Sequence, residues 1–121
     1  MLFTILCTFR PGAIAHAKQL RLEHYEFLRR VKHTIVEGGP LLGSDGVPAA
    51  MLIVVNRDSL ESAHAFIAEE PYSRNGLFES VAIRRWSQVI PEPTADFIES
   101  EYAKESAARL ASPSTEPPAP A

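Results

Sequence analysis

Cysteine is almost missing from this 121-residue chain, where Cys7 stands alone. One thiol cannot form an internal disulfide or furnish a Cys-rich metal site, which excludes a disulfide scaffold and a zinc ribbon. Long apolar runs are scarce as well. The longest, Ala49–Val55, has seven residues, against roughly 20 for a membrane-spanning helix. The apolar start MLFTILCTFRPG lacks the basic residues that open a signal peptide. Together these absences predict a cytoplasmic protein with no membrane partner. Clustered positive charge is also lacking: residues 1–91 hold ten Lys or Arg and nine Asp or Glu, whereas residues 92–121 hold two and six. A near-neutral body with dispersed cations has no electrostatic footprint for nucleic acid, so DNA and RNA are not expected partners. Gly38-Gly39-Pro40 lacks the spacing of a phosphate loop. No nucleophile elbow occurs, and His16, His24, His33 and His64 show no ligand spacing that predicts a metal site.

What is present reads as one small domain with an extension. Leu2–Phe9 is rich in β-formers and closes on the turn signal Arg10-Pro11-Gly12, which predicts a first strand. From Ala13 to about Thr34 no Gly or Pro occurs. On a helical wheel Ala17, Leu20, His24, Phe27, Leu28, Val31 and Ile35 fall on one stripe, predicting a continuous amphipathic helix with His24 near the stripe's centre. Ile35–Leu42, weakened by two Gly and a Pro, predicts an irregular second strand. Pro48–Asn56 predicts a central third strand after the turn triplet Ser44-Asp45-Gly46. Asp58 with Glu61 fits an N-cap and its N3 partner for a second helix that runs to about Glu69 and stops at Pro71. Phe78–Val89 alternates as a fourth strand, with Val81, Ile83 and Val89 on one face and Ala82, Arg84 and Trp86 on the other.

The order β-α-β-β-α-β predicts an α+β, ferredoxin-like fold: a four-stranded antiparallel sheet with its helices on one side. The uncovered face, carrying residues such as Trp86, calls for a partner, and a homodimer is the expected one. The expected organisation is therefore a domain over 1–91 and an extension over 92–121. In the extension, Ala95–Leu110 predicts a helix with Phe97, Ile98 and Tyr102 as anchors for docking on the core or a partner. Residues 112–121, rich in Pro, Ser, Thr and Ala, predict a disordered tail.

Three short motifs in order carry a resemblance to a known family. Arg21-Leu22-Glu23-His24, Ile35-Val36-Glu37-Gly38-Gly39-Pro40-Leu41, and Glu70-Pro71-Tyr72 followed by Gly76-Leu77-Phe78 resemble the Arg-x-x-His, Gly-Pro and Asp-Pro-aromatic segments of the YCII-related family. The resemblance spans residues 1 to about 90. It implies a bacterial ferredoxin-like protein of the dimeric α/β-barrel type, with no cofactor and with a catalytic pair formed by His24 and Glu70. Glu70 stands where the family carries Asp, one methylene longer. The same resemblance implies a substrate cleft that includes Arg21, Tyr72, Gly39 and Pro40.

These residues suit proton chemistry, because imidazole titrates near neutral pH and a carboxylate on one ring nitrogen fixes the tautomer for exchange at the other. Each also has a plainer role: His24 as a core histidine, Glu70 as a solvated helix-end residue, Arg21 as a surface ion pair with Glu23 or Glu26, Tyr72 as packing under a turn. Gly38, Gly39 and Pro40 would set backbone geometry beside the pocket. Two functions follow. One is a cofactor-free enzyme, a lyase or isomerase of dehydrochlorinase type, moving protons on a small cyclic or aromatic metabolite. The other is a non-catalytic dimeric binding or accessory module of a bacterial catabolic pathway. The distance between His24 and Glu70 separates them.

Overall fold

Strict alternation builds the first strand, β1 (Leu2–Phe9): Phe3, Ile5, Cys7 and Phe9 are buried, while Leu6, on the opposite face, is exposed. A computed structural model describes residues 1–111. Beyond β1 the elements are α1 (Ala13–Gln19), α2 (Arg21–Val31), a 3-10 turn (Lys32–Thr34), β2 (Ile35–Leu42), β3 (Pro48–Asn56), α3 (Leu60–Ala68), α4 (Pro71–Arg74), β4 (Phe78–Arg85) and α5 (Phe97–Ala111). The four strands form one antiparallel sheet in the order β2-β3-β1-β4. This is the α+β, ferredoxin-like arrangement. The described residues form two compact units, one over Met1–Ser87 and one that begins at Gln88.

Register explains which side chains face the helices. Phe3, Ile5 and Cys7 of β1 stand opposite Val55, Ile53 and Met51 of β3, and all six are buried in a core completed by residues such as Phe27 and Phe66 from the helices. The other face carries Leu6 opposite Leu52, both exposed by more than a third. β3 lies inside the sheet, as its apolar run requires. β2 is an edge strand, the place where Pro40 costs least. A register shift between Ile35 and Glu37 makes Val36 a bulge. No helix among the described residues is long and apolar enough to cross a membrane.

Four expectations need correction. The first helix is not continuous: at Leu20 the backbone leaves the helical region (φ −99°, ψ 8°), and its N–H is shared by the carbonyls of His16 and Ala17. That tightened turn separates α1 from α2. No Gly or Pro announces it, yet the expected stripe survives, with Ala17, His24 and Phe27 buried on both sides of the break. α3 is capped by Ser59 rather than Asp58; Ser59 Oγ accepts from Ser62 N–H at 3.0 Å. Pro71 does not merely stop a helix but opens α4 at the N1 position, where its missing N–H costs nothing. β4 ends at Arg85 instead of Val89, because β1 is its one neighbour in the sheet and runs out at Leu2, whose carbonyl accepts the Trp86 N–H at 2.9 Å. Trp86 therefore lies past the strand, and Leu6, Leu41 and Leu52 are the large apolar residues of the open face.

In the second unit Gln88 Nε2 donates to the Pro91 carbonyl and Glu92 accepts from Ile98 N–H at 3.1 Å, ahead of the helix α5. The tail expected over 112–121 lies outside the described residues.

The cap assignment is open to measurement. Ser59→Ala should lower unfolding free energy by about 1 kcal/mol, whereas Asp58→Ala should stay within about 0.5 kcal/mol of the parent, both read from urea midpoints.

Candidate active site

The second half of the chain delivers a carboxylate to the first. Glu70 is the N-cap of α4, and its Oε2 accepts from Ser73 N–H at 3.1 Å. Capping turns the side chain inward, and Glu70 has no exposure to water. Its Oε1 lies 2.6 Å from His24 Nδ1, the length of a charge-assisted bond. An ionised carboxylate only accepts, and in the neutral tautomer that pairs with it Nδ1 carries the proton while Nε2 keeps its lone pair. His24 comes from the buried stripe of α2 and is 8% exposed. Both partners are satisfied, and no buried side-chain polar atom among the described residues lacks a hydrogen bond.

Two tyrosines fix the imidazole plane. Tyr72, the residue after Pro71, stacks on His24 with centroids 4.4 Å apart and planes 13° apart. Tyr25 meets the ring edge-on at 5.5 Å and is itself largely exposed. Burial foremost, then the Glu70 charge, pushes the Tyr72 hydroxyl above its ordinary value, while the Arg21 guanidinium pulls it down. Tyr72 therefore remains a neutral donor at physiological pH.

His24 opens onto a cavity of about 560 Å³ between α2 and the sheet, within the range of small-molecule sites. Arg21, Tyr72, Gly39 and Pro40 line it along with His24, while Glu70 lies behind the ring. The sequence thus located six residues that converge. Arg21 does not form the alternative ion pair with Glu23 or Glu26; among the described residues the ion pairs are His24–Glu70 and Lys104–Glu101. Among the lining residues not singled out from the sequence are Tyr25, Lys32 and Glu37. Lys32 is the C-cap of α2, off the apolar stripe that carries His24, so periodicity gave no sign of it. Gly38 stands opposite Ile53 on the helix side of the sheet, and an added Cβ would meet the Leu52 carbonyl at 3.4 Å and the Ile35 side chain at 3.8 Å. Its lack of a side chain leaves the cavity wall open.

Residues 1–87 match the model of the YCII-related domain. The chain belongs to the YCII-related family. Among solved structures it is similar to 5-chloro-2-hydroxyhydroquinone dehydrochlorinase (TftG) of Burkholderia phenoliruptrix AC1100, in complex with 2,5-dihydroxybenzoquinone, at 28% identity and a TM-score of 0.68 over 73% of this chain and 95% of that one. Two Agrobacterium tumefaciens proteins also align. Atu4242 does so at 19% identity and a TM-score of 0.47 over 77% of this chain and 98% of its own. The NIPSNAP family protein Atu5224 does so at 16% and 0.48 over 76% and 95%. None of the curated proteins compared with the sequence matches it. At the acidic position of the YCII-related pattern, the longer arm of Glu70 still reaches the ring, because capping α4 bends it back toward α2.

Cys7 lies in the same buried layer. Burial first and the Glu70 charge second push its thiol up to about 12. In the unfolded chain a thiol ionises near 8.5. The fold therefore demands the protonated form: the stability this contributes is complete below about pH 8.5 and is lost as pH rises toward the folded value. Urea unfolding between pH 7 and pH 10 should show stability falling at the alkaline end, and Cys7→Ala should make that fall shallower.

Proposed function

We propose that this protein is a proton-transfer enzyme, a lyase or isomerase of dehydrochlorinase type, acting on a small cyclic or aromatic metabolite with His24 as general base and Glu70 as its partner. The observation that carries the reading is the 2.6 Å bond between His24 Nδ1 and Glu70 Oε1, at the wall of a ligand-sized cavity. Such a bond leaves Nε2 free to accept a proton and stabilises the imidazolium that forms. The similarity to a dehydrochlorinase with a bound dihydroxybenzoquinone supports the same chemistry and a ring-shaped ligand.

In an elimination of this kind, Nε2 takes a proton from the substrate. In the ring's keto tautomer, whose chlorine-bearing carbon carries hydrogen, the O–H electron pair left behind becomes a C=O bond, a ring double bond shifts onto that carbon, and the carbon–chlorine bond breaks with its electrons on chloride. His24 then returns the proton to water, so that one proton and one chloride leave. Tyr72 and Arg21 orient the ring's oxygens, and the apolar walls limit water's access. An isomerisation uses the same base and returns the proton to a different atom.

A chlorinated hydroquinone such as 5-chloro-2-hydroxyhydroquinone is the substrate to assay, with released chloride as the readout. His24→Asn keeps an amide donor for Glu70, so the buried carboxylate is not stranded. It should lower turnover by about 100-fold or more, the usual scale for a positioned proton-transfer group, with little change in melting temperature. Glu70→Gln should follow it, since a neutral amide cannot stabilise imidazolium. Full activity in Glu70→Gln beside an inactive His24→Asn would sink the pair. Tight ligand binding without turnover by the parent would favour the binding module instead.

We also infer a homodimer closed through the open sheet face, where Leu6, Leu41 and Leu52 are exposed. Light scattering should give about twice the chain mass of 13.3 kDa, and Leu52→Asp should bring it toward the single-chain value.

A further inference from the structure

The charges around the cavity are unbalanced. Arg21 and Lys32 both line it, and neither belongs to an ion pair among the described residues. Glu37 also lines it, yet the bulge at Val36 pairs Glu37 with Val54, whose neighbour across β3 and β1 is Thr4 on the open face. The Glu37 side chain therefore leaves on the far side, where it borders a groove with Leu52 and Val54. Glu70 is committed to His24 and Ser73. Among the described residues the cavity lining thus holds two unpaired cations against one unpaired carboxylate, Glu37, which stands on the sheet's other face.

The two cations hold different posts. Arg21 lies one turn before His24 and acts on the Tyr72 hydroxyl. Lys32 lies eight residues after His24, about 12 Å further along the axis, with Leu28 between them on the same wall. Lys32 is the C-cap of α2 and, like Arg21, is a solvent-exposed residue of the cavity lining.

We propose that the cavity selects planar ring compounds that carry an anionic group, and that Lys32 binds this group at the end of the cavity opposite His24. The proposal rests on the reading of this cavity as the substrate site and names its substrate class. Lys32 is a specificity residue; His24 remains the base. A charge-assisted bond to the ammonium favours a charged group over its neutral isostere.

The test compares 4-hydroxybenzoate with neutral 4-hydroxybenzamide by titration calorimetry on the full chain. The parent should bind the benzoate at least tenfold more tightly. Lys32→Gln should reduce that preference below threefold, while His24→Asn and Arg21→Gln should retain it. Failure of both probes to bind, equal binding by the parent, a preference that survives Lys32→Gln, or one that vanishes in Arg21→Gln would each overturn the proposal. A Lys32 that served only the helix C-terminus would lose stability on substitution without changing the preference, which also overturns it. Retention of the preference in His24→Asn, whatever its turnover, separates this anion subsite from the proton-transfer reading.

Discussion

A carboxylate removed from water survives only where donors meet it, and Glu70 has no exposure at all. Its two oxygens are met by an imidazole and a backbone N–H, so the positions of α2 and α4 are fixed relative to each other by the needs of one side chain. Tyr72 is carried along because it follows Pro71 in α4, and its ring packs flat on the histidine. The imidazole is left with one free nitrogen and little freedom to turn. Such preorganisation is what a proton-transfer group requires, since reorientation during the reaction would add to its barrier.

The cavity beside this pair owes its shape to the sheet's weakest member. β2 is an edge strand with two glycines, a proline and a bulge. Each would be a defect in the middle of a sheet. Here the bulge puts Glu37 opposite Val54, Gly38 leaves the cavity wall bare, and Pro40 lines it without needing a ladder hydrogen bond on both sides. Strand stability has been given up where it makes room.

Much of this was legible in the residues. The strands and the apolar stripe of the first helix follow from periodicity, and His24 stands out because imidazole is the odd member of that stripe. The break at Leu20 was not legible, for its cause is a shared hydrogen bond in the packed chain and not a breaker residue. Ser59 and Asp58 both suit a cap, and sequence alone does not say which adopts the extended backbone that capping requires. The end of β4 depends on where its neighbour ends, a fact of pairing rather than of propensity. For Glu70 the sign was present: an acid before Pro is a helix start as readily as a helix stop. The turn that brings it beside His24 is tertiary, and only the fold displays it.

The His24–Glu70 bond spans 46 positions of sequence, and its members come from the two different βαβ halves of the ferredoxin-like chain. It therefore acts as a clasp between halves that could each form secondary structure alone. No fragment carrying one half holds the site, and a collapsed chain with helices and strands but loose packing would have a mobile imidazole and a stranded carboxylate. The geometry at this histidine is thus a property of the completed tertiary structure, and it appears and disappears with cooperative folding itself.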